Sequence, residues 1–130
     1  MKQFSQPPEA IILTMPVAFF KDRGVFEDKF FDLFERYMRR EDAIWNFRKT
    51  QLPTQDVAWV YLLWSGKIQF RLNFVQYERN VAKVFDDSWD GKARIFPVSN
   101  WIILSGPAIP APYEMPMKGF QGHRYTQKLF

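Results

Sequence analysis

Cysteine is absent from this sequence, and histidine occurs once, as His123. Without cysteine there are no disulfides, no thiolate metal sites and no cysteine nucleophile. This suits a cytoplasmic location. A Ser-His-Asp triad would have to use His123, and no nucleophile-elbow sequence accompanies it. A metal site would rest on carboxylates alone. No P-loop and no dinucleotide-type glycine fingerprint occurs, so no cofactor is expected. No apolar run reaches the roughly 18–20 residues of a membrane span, and residues 1–15 lack the basic start and apolar core of a signal peptide. No membrane partner is expected. Internal repeats and low-complexity runs are also missing.

What is present is aromatic and mildly basic. Aromatic residues make up 18% of the chain, and phenylalanine alone contributes 14. Each such side chain buries about 150–250 Å², so a small domain draws much of its core from them. A length of 130 residues fits one domain spanning 1–130. The net charge of +4 favours encounters with nucleic acid or other anionic surfaces.

Residues 1–9, with Pro7-Pro8, read as a loose lead-in, and Ala10–Met15 reads as a buried strand stopped by Pro16. The spacing of Phe26, Phe30, Phe34 and Met38, with Leu33 and Tyr37 beside them, predicts one main helix over about 25–40. Its acids lie early and its bases late, as the helix dipole prefers. Val57–Trp64 is apolar on both faces and predicts a central strand. A Ser65-Gly66-Lys67 turn leads into Ile68–Phe74, whose alternation places Ile68, Phe70, Leu72 and Phe74 on one side and Gln69, Arg71 and Asn73 on the other. The stretch 85–92 reads as a turn-rich loop, Arg94–Phe96 as a short strand, and Asn100–Leu104 as a buried strand ended by Ser105-Gly106-Pro107. Four prolines across 106–118 predict an ordered extended loop rather than helix or central strand. Residues 119–126 form a final strand or an ordered loop. The sum is an α+β fold with a small, curved, mostly antiparallel sheet or pseudo-barrel.

Several clusters carry chemistry, each with an ordinary reading beside it. Trp45, Phe47, Arg48 and Lys49 form a basic-aromatic segment. Bases stack on aromatic faces for about 1–3 kcal/mol each, and arginine adds phosphate contact or stacking. The ordinary reading is that Trp45 and Phe47 close the core while Arg48 pairs with Glu41 or Asp42. Trp64, Arg71 and Asn73 lie on or near the hairpin and could meet a base edge, or simply line a solvated strand. His123, Arg124 and Tyr125 could hold phosphate, or be structural. Asp86, Asp87 and Asp90 lack the ligand spacing of an EF-hand loop and read as a turn.

The segment Ala43-Ile44-Trp45-Asn46-Phe47-Arg48-Lys49, followed by Leu52-Pro53 and Ala58-Trp59-Val60-Tyr61, resembles the PUA-like superfamily over about residues 11–75, especially its ASCH and EVE branches. Asn46 stands where the ASCH pattern has an acidic residue. The resemblance implies a pseudo-barrel that binds RNA or a modified nucleobase in a cleft beside the helix. The leading expectation is therefore a non-catalytic RNA- or nucleobase-binding domain contacted by Trp45, Phe47, Arg48, Lys49 and Arg71, with Arg124 and Tyr125 secondary. A protein-interaction or homodimerising module is one alternative. A small ASCH-type hydrolase of a modified nucleoside, using Lys49 and Thr50, is another.

Overall fold

A computed structural model describes residues 6–15, 27–87 and 92–130. It contains strand β1 (Ala10–Thr14), helix α1 (Glu27–Met38), β2 (Ile44–Lys49), β3 (Trp59–Trp64), β4 (Lys67–Asp87), β5 (Lys92–Pro110) and β6 (His123–Thr126). The strands form one sheet in the order β2-β5-β4-β3-β1-β6. β1 runs parallel to β3, and every other pairing is antiparallel. β2 and β6 are the edges, so the sheet is not closed into a barrel.

β1 and β3 are buried on both faces, and the sheet accordingly has two covers. The inner face carries Ile11, Leu13, Val60, Leu62, Trp64, Phe70, Leu72, Ile102 and Leu104. Helix α1 closes it with Phe31, Phe34 and Met38. Phe31 stacks on Trp64, with ring centroids 5.7 Å apart and planes at 12°. The expected stripe is core where it is described, and its flank is refined. Phe34 and Met38 are fully buried and Phe31 joins them, while Tyr37 stays 38% exposed. Tyr37 instead uses its hydroxyl on the backbone of Ile44, where β2 begins. Phe26 lies outside the described residues, as does the side chain of Phe30.

The outer face carries Ala10, Ile12, Tyr61, Leu63 and Ile68, covered by Met115, Met117, Phe120, Leu129 and Phe130. Tyr61 anchors this cover. Its hydroxyl donates to the Phe130 carbonyl (3.1 Å) and accepts the Leu129 N–H (2.8 Å). Ile68 belongs here because of a register shift between Leu62 and Leu63. Leu62 pairs with Phe70 and Leu63 with Ile68. The extra residue breaks the alternation expected over 68–74, as a bulge does, and sends Ile68 and Phe70 to opposite faces.

Of the expected loops, 85–87 and 92 belong to β4 and β5, and 106–110 is the end of β5, whereas 111–118 is loop apart from a bridge at Pro116. β4 and β5 form one long ribbon that passes through Pro97 and Pro107 and ends at Pro110. The Gly106–Pro107 peptide bond is cis. Both prolines fall where the β4–β5 register shifts, and a bulge tolerates a residue that has no backbone N–H. Residues 88–91, including Asp90, lie outside the described residues. Of the expected lead-in, residues 1–5 lie outside the described residues, and residues 6–9 meet the end of the chain. The Glu9 N–H donates to the Thr126 carbonyl (3.1 Å), and the Gln127 side chain donates to the Pro7 carbonyl (3.1 Å). No helix among the described residues is long and apolar enough to cross a membrane.

β5 meets the end of α1 at Gly106, whose N–H donates to the Ala43 carbonyl (3.0 Å). A Cβ at this position would collide with the carbonyl oxygens of Met38 and Arg40. These are backbone atoms and cannot swing aside. Gly106→Ala is therefore expected to abolish folding or lower the thermal midpoint sharply, whereas Gly119→Ala, which meets only the Thr14 methyl at 3.5 Å, leaves it nearly unchanged. Phe34→Ala should cost about 3–5 kcal/mol in urea unfolding, the usual range for deleting a buried aromatic ring.

Candidate functional site

The segment read as a basic-aromatic loop is an edge strand, β2, and its alternation splits the cluster in two. Trp45, Phe47 and Lys49 share the inner face. Phe47 is buried, and Trp45 meets Phe34 edge-on at 4.7 Å. Both rings are core. Asn46 and Arg48 point to the outer face, beside Ile103 and Trp101 of β5.

The outer face at β2 has its own cover, built by a bend in the β4–β5 ribbon. The register shifts between Glu78 and Val81 and again between Val81 and Lys83. Asn80 adopts φ 55°, a left-handed conformation that asparagine tolerates. Bulges bend a ribbon, and here Phe85 and Phe96 fold back onto the buried Trp101, with centroids at 5.6 and 5.4 Å. The Trp101 indole N–H donates to the Val81 carbonyl at 2.9 Å. The bend gathers cations. The Arg48 guanidinium lies over Phe96 at 5.4 Å and donates to Ser99 Oγ at 3.1 Å. Lys83 donates to Asn46 Oδ1 at 2.9 Å, lies 5.7 Å over Trp101 and pairs with Glu78. Arg48 remains exposed while the two rings are half-buried. It does not pair with Asp42, which instead takes a bidentate contact from Arg40.

The hairpin residues are committed elsewhere. Trp64 is core. Arg71 lies between the rings of Trp59 (4.9 Å) and Phe130 (5.9 Å) and donates to the Phe130 carbonyl. Asn73 donates to the Gly106 carbonyl at 3.0 Å. Arg124 lies 4.1 Å over Phe120 on the outer face.

A second cluster forms on the inner face where the curled sheet brings β6 to the segment following β2. Tyr125 Oη accepts the N–H groups of Thr54 (2.8 Å) and Gln55 (3.1 Å). Tyr77 donates from its hydroxyl to the Gln55 carbonyl at 2.6 Å. Burial, with Tyr125 and Asp56 adding to it, pushes the Tyr77 hydroxyl up to about 12. His123 meets the Tyr125 ring edge-on at 5.3 Å. Burial, and then the positive charge of Lys49, lower the His123 imidazole below its ordinary 6.5. Burial also lowers the Lys49 ammonium. Of the expected contact residues, Tyr125 joins this cluster; Arg48 stands apart on the outer face of β2, and Arg71 apart again beside Phe130.

Sequence reasoning missed Lys83, Phe96 and Tyr77. Lys83 and Phe96 are opposite one another across a ladder whose register depends on bulges that no local pattern announces. Among the described residues, no three carboxylate or imidazole side chains are placed to hold a metal ion. No family model, no curated protein and no solved structure gives a significant match to the chain.

The lowered His123 sets an acid limb. The unfolded chain takes up a proton near the ordinary value of 6.5 that folded His123 resists. Stability is therefore full above that value and falls as pH drops through it toward the lower folded value. His123→Gln should flatten this part of the profile in urea midpoints compared at neutral and mildly acidic pH; an unchanged slope would assign the acid limb to other groups.

Proposed function

We propose that the chain is a non-catalytic domain that binds RNA or a modified nucleobase through the outer face of β2 and the bent β4–β5 ribbon. The observation that carries this reading is Arg48, exposed on an edge strand, with its guanidinium 5.4 Å over the Phe96 ring and bonded to Ser99. A pre-oriented guanidinium can stack on a base or take a phosphate bidentately without first losing rotamer freedom. Lys83 lies nearby over Trp101, and the net charge of +4 supplies long-range attraction. The PUA-like resemblance supports the same class of ligand, but Trp45, Phe47 and Trp64 are released from the contact set because they fill the core. Arg48, Lys83 and Phe96 take their place.

Fluorescence anisotropy with short single-stranded RNA at two salt concentrations tests this. Binding should weaken as salt rises, and Arg48→Ala should weaken it by about tenfold, the equivalent of 1.4 kcal/mol. Trp45→Ala should lower stability yet leave the affinity of the folded fraction intact. Equal affinity of Arg48→Ala and parent would move the interface elsewhere.

One observation favours a second reading, homodimerisation. Val84 and Ile95 are cross-strand partners on the ribbon, 65% and 78% exposed, with Val98 63% exposed further along. Beyond the stretches paired to β3 and β2, no strand among the described residues pairs with either edge of this ribbon, and open edges with apolar side chains invite pairing. Sedimentation that shifts with concentration in the parent and not in Ile95→Lys would favour it.

A further inference from the structure

We infer that the outer face of β2 selects guanine over adenine, because the side-chain polar groups it leaves open are all donors. The inference rests on the RNA-binding reading of that face and names the base it prefers.

Four side chains form one connected set. Phe96 and Lys83 are cross-strand partners on the ribbon. The Arg48 guanidinium lies 5.4 Å over the Phe96 ring, and Lys83 donates to Asn46 Oδ1 at 2.9 Å. Arg48 and Asn46 are two residues apart on one strand. They therefore share its outer face, about 7 Å apart along the backbone.

The acceptors of this set are already committed. Arg48 Nε donates to Ser99 Oγ at 3.1 Å, and Ser99 Oγ donates in turn to the Pro97 carbonyl at 2.9 Å. An ammonium only donates, so the Asn46 oxygen must face Lys83 and its Nδ2 faces away. Glu78 pairs with Lys83, takes the Gln76 amide on Oε2 at 3.1 Å and keeps Oε1 buried. Among the described residues, neither terminal nitrogen of Arg48 has a hydrogen-bond partner. What the face offers a ligand is thus the arginine fork and the Asn46 amide N–H groups.

Guanine presents two adjacent acceptors, N7 and O6, which an arginine fork meets bidentately. Adenine presents N7 beside an N6 amine, which is a donor. Against a donor-only face that amine has no acceptor, and the fork loses one of its two bonds. Leaving a polar group unpaired is how a site rejects the wrong ligand. Unpaired bases of a single strand expose this edge. The same fork can instead take a phosphate, which carries no base information, and the experiment separates the two.

The test is fluorescence anisotropy of the full chain with short oligouridines that carry one central guanine, adenine or 7-deazaguanine. Guanine should bind more tightly than adenine by at least about fivefold, the low end of what one bidentate pair discriminates. 7-Deazaguanine keeps O6 and replaces N7 by C–H, so it should lose most of that advantage with the protein unaltered. Arg48→Lys keeps the charge and removes the fork, and it should bind the three oligonucleotides about equally. Asn46→Asp puts an acceptor where the amide nitrogen was and should narrow the ratio of guanine to adenine affinity. Absence of salt-sensitive binding to any of the oligonucleotides would sink the RNA reading and this inference with it. Equal affinity of the parent for guanine and adenine, with both weakened alike by Arg48→Ala, keeps the reading and overturns the inference, since Arg48 then holds phosphate. A guanine preference that is unchanged in Arg48→Lys and Asn46→Asp overturns it as well.

Discussion

β1 and β3 are apolar on both faces, and the rest of the fold meets the need to cover two apolar surfaces with one short chain. Helix α1 covers the inner one. The segment from Met115 to Phe130 covers part of the outer one, and the ribbon folded back over Trp101 covers the remainder. Sheets of this size are ordinarily half-solvated. Here the high aromatic content supplies the extra surface, because rings cover area that short strands and a single helix do not.

This double covering decides which basic residues remain available to a ligand. Arg71 is drawn into the outer cover, stacked between Trp59 and Phe130. Arg124 lies on Phe120 within the same layer. Arginine can do this because its planar, weakly hydrated guanidinium packs on rings without leaving water entirely. Arg48 sits exposed at the sheet edge, where the ribbon supplies a ring beneath it. Lys49, one residue on and facing the other way, is half-buried. The two faces of one edge strand therefore carry different charge environments. One lies over a ring; the other is half-buried.

The bends that make this arrangement are bulges rather than turns. The shift between Leu62 and Leu63 moves Ile68 to the outer face, and those near Asn80 turn the ribbon onto Trp101. Each adds one residue to one strand, and each reverses the alternation on which a reading of faces depends. Such a shift leaves little trace in composition. Asn80 is the one residue whose left-handed tolerance hints at it.

The sequence by itself determined the local elements that have strong periodicity or turn chemistry. These include the strand at Ala10–Thr14, the helix containing Phe34 and Met38, the two-sided apolar strand ending at Trp64, and the Ser65-Gly66 turn, both of whose residues have positive φ. It also bounded the chemistry by the absence of cysteine and the presence of one histidine. It misread 106–110 as loop because proline counts against strand, and the rule does not see that a shift of register tolerates proline there. Only the tertiary structure decided which partners meet. Arg48 with Phe96, Lys83 with Trp101, and Tyr125 with Thr54 are pairs distant along the chain, joined by the register of a bulged ladder or by the curl of the sheet. Alternation assigns a side chain to a face; it does not say what lies on that face, because curvature and register are set by the packing of the whole sheet against its covers.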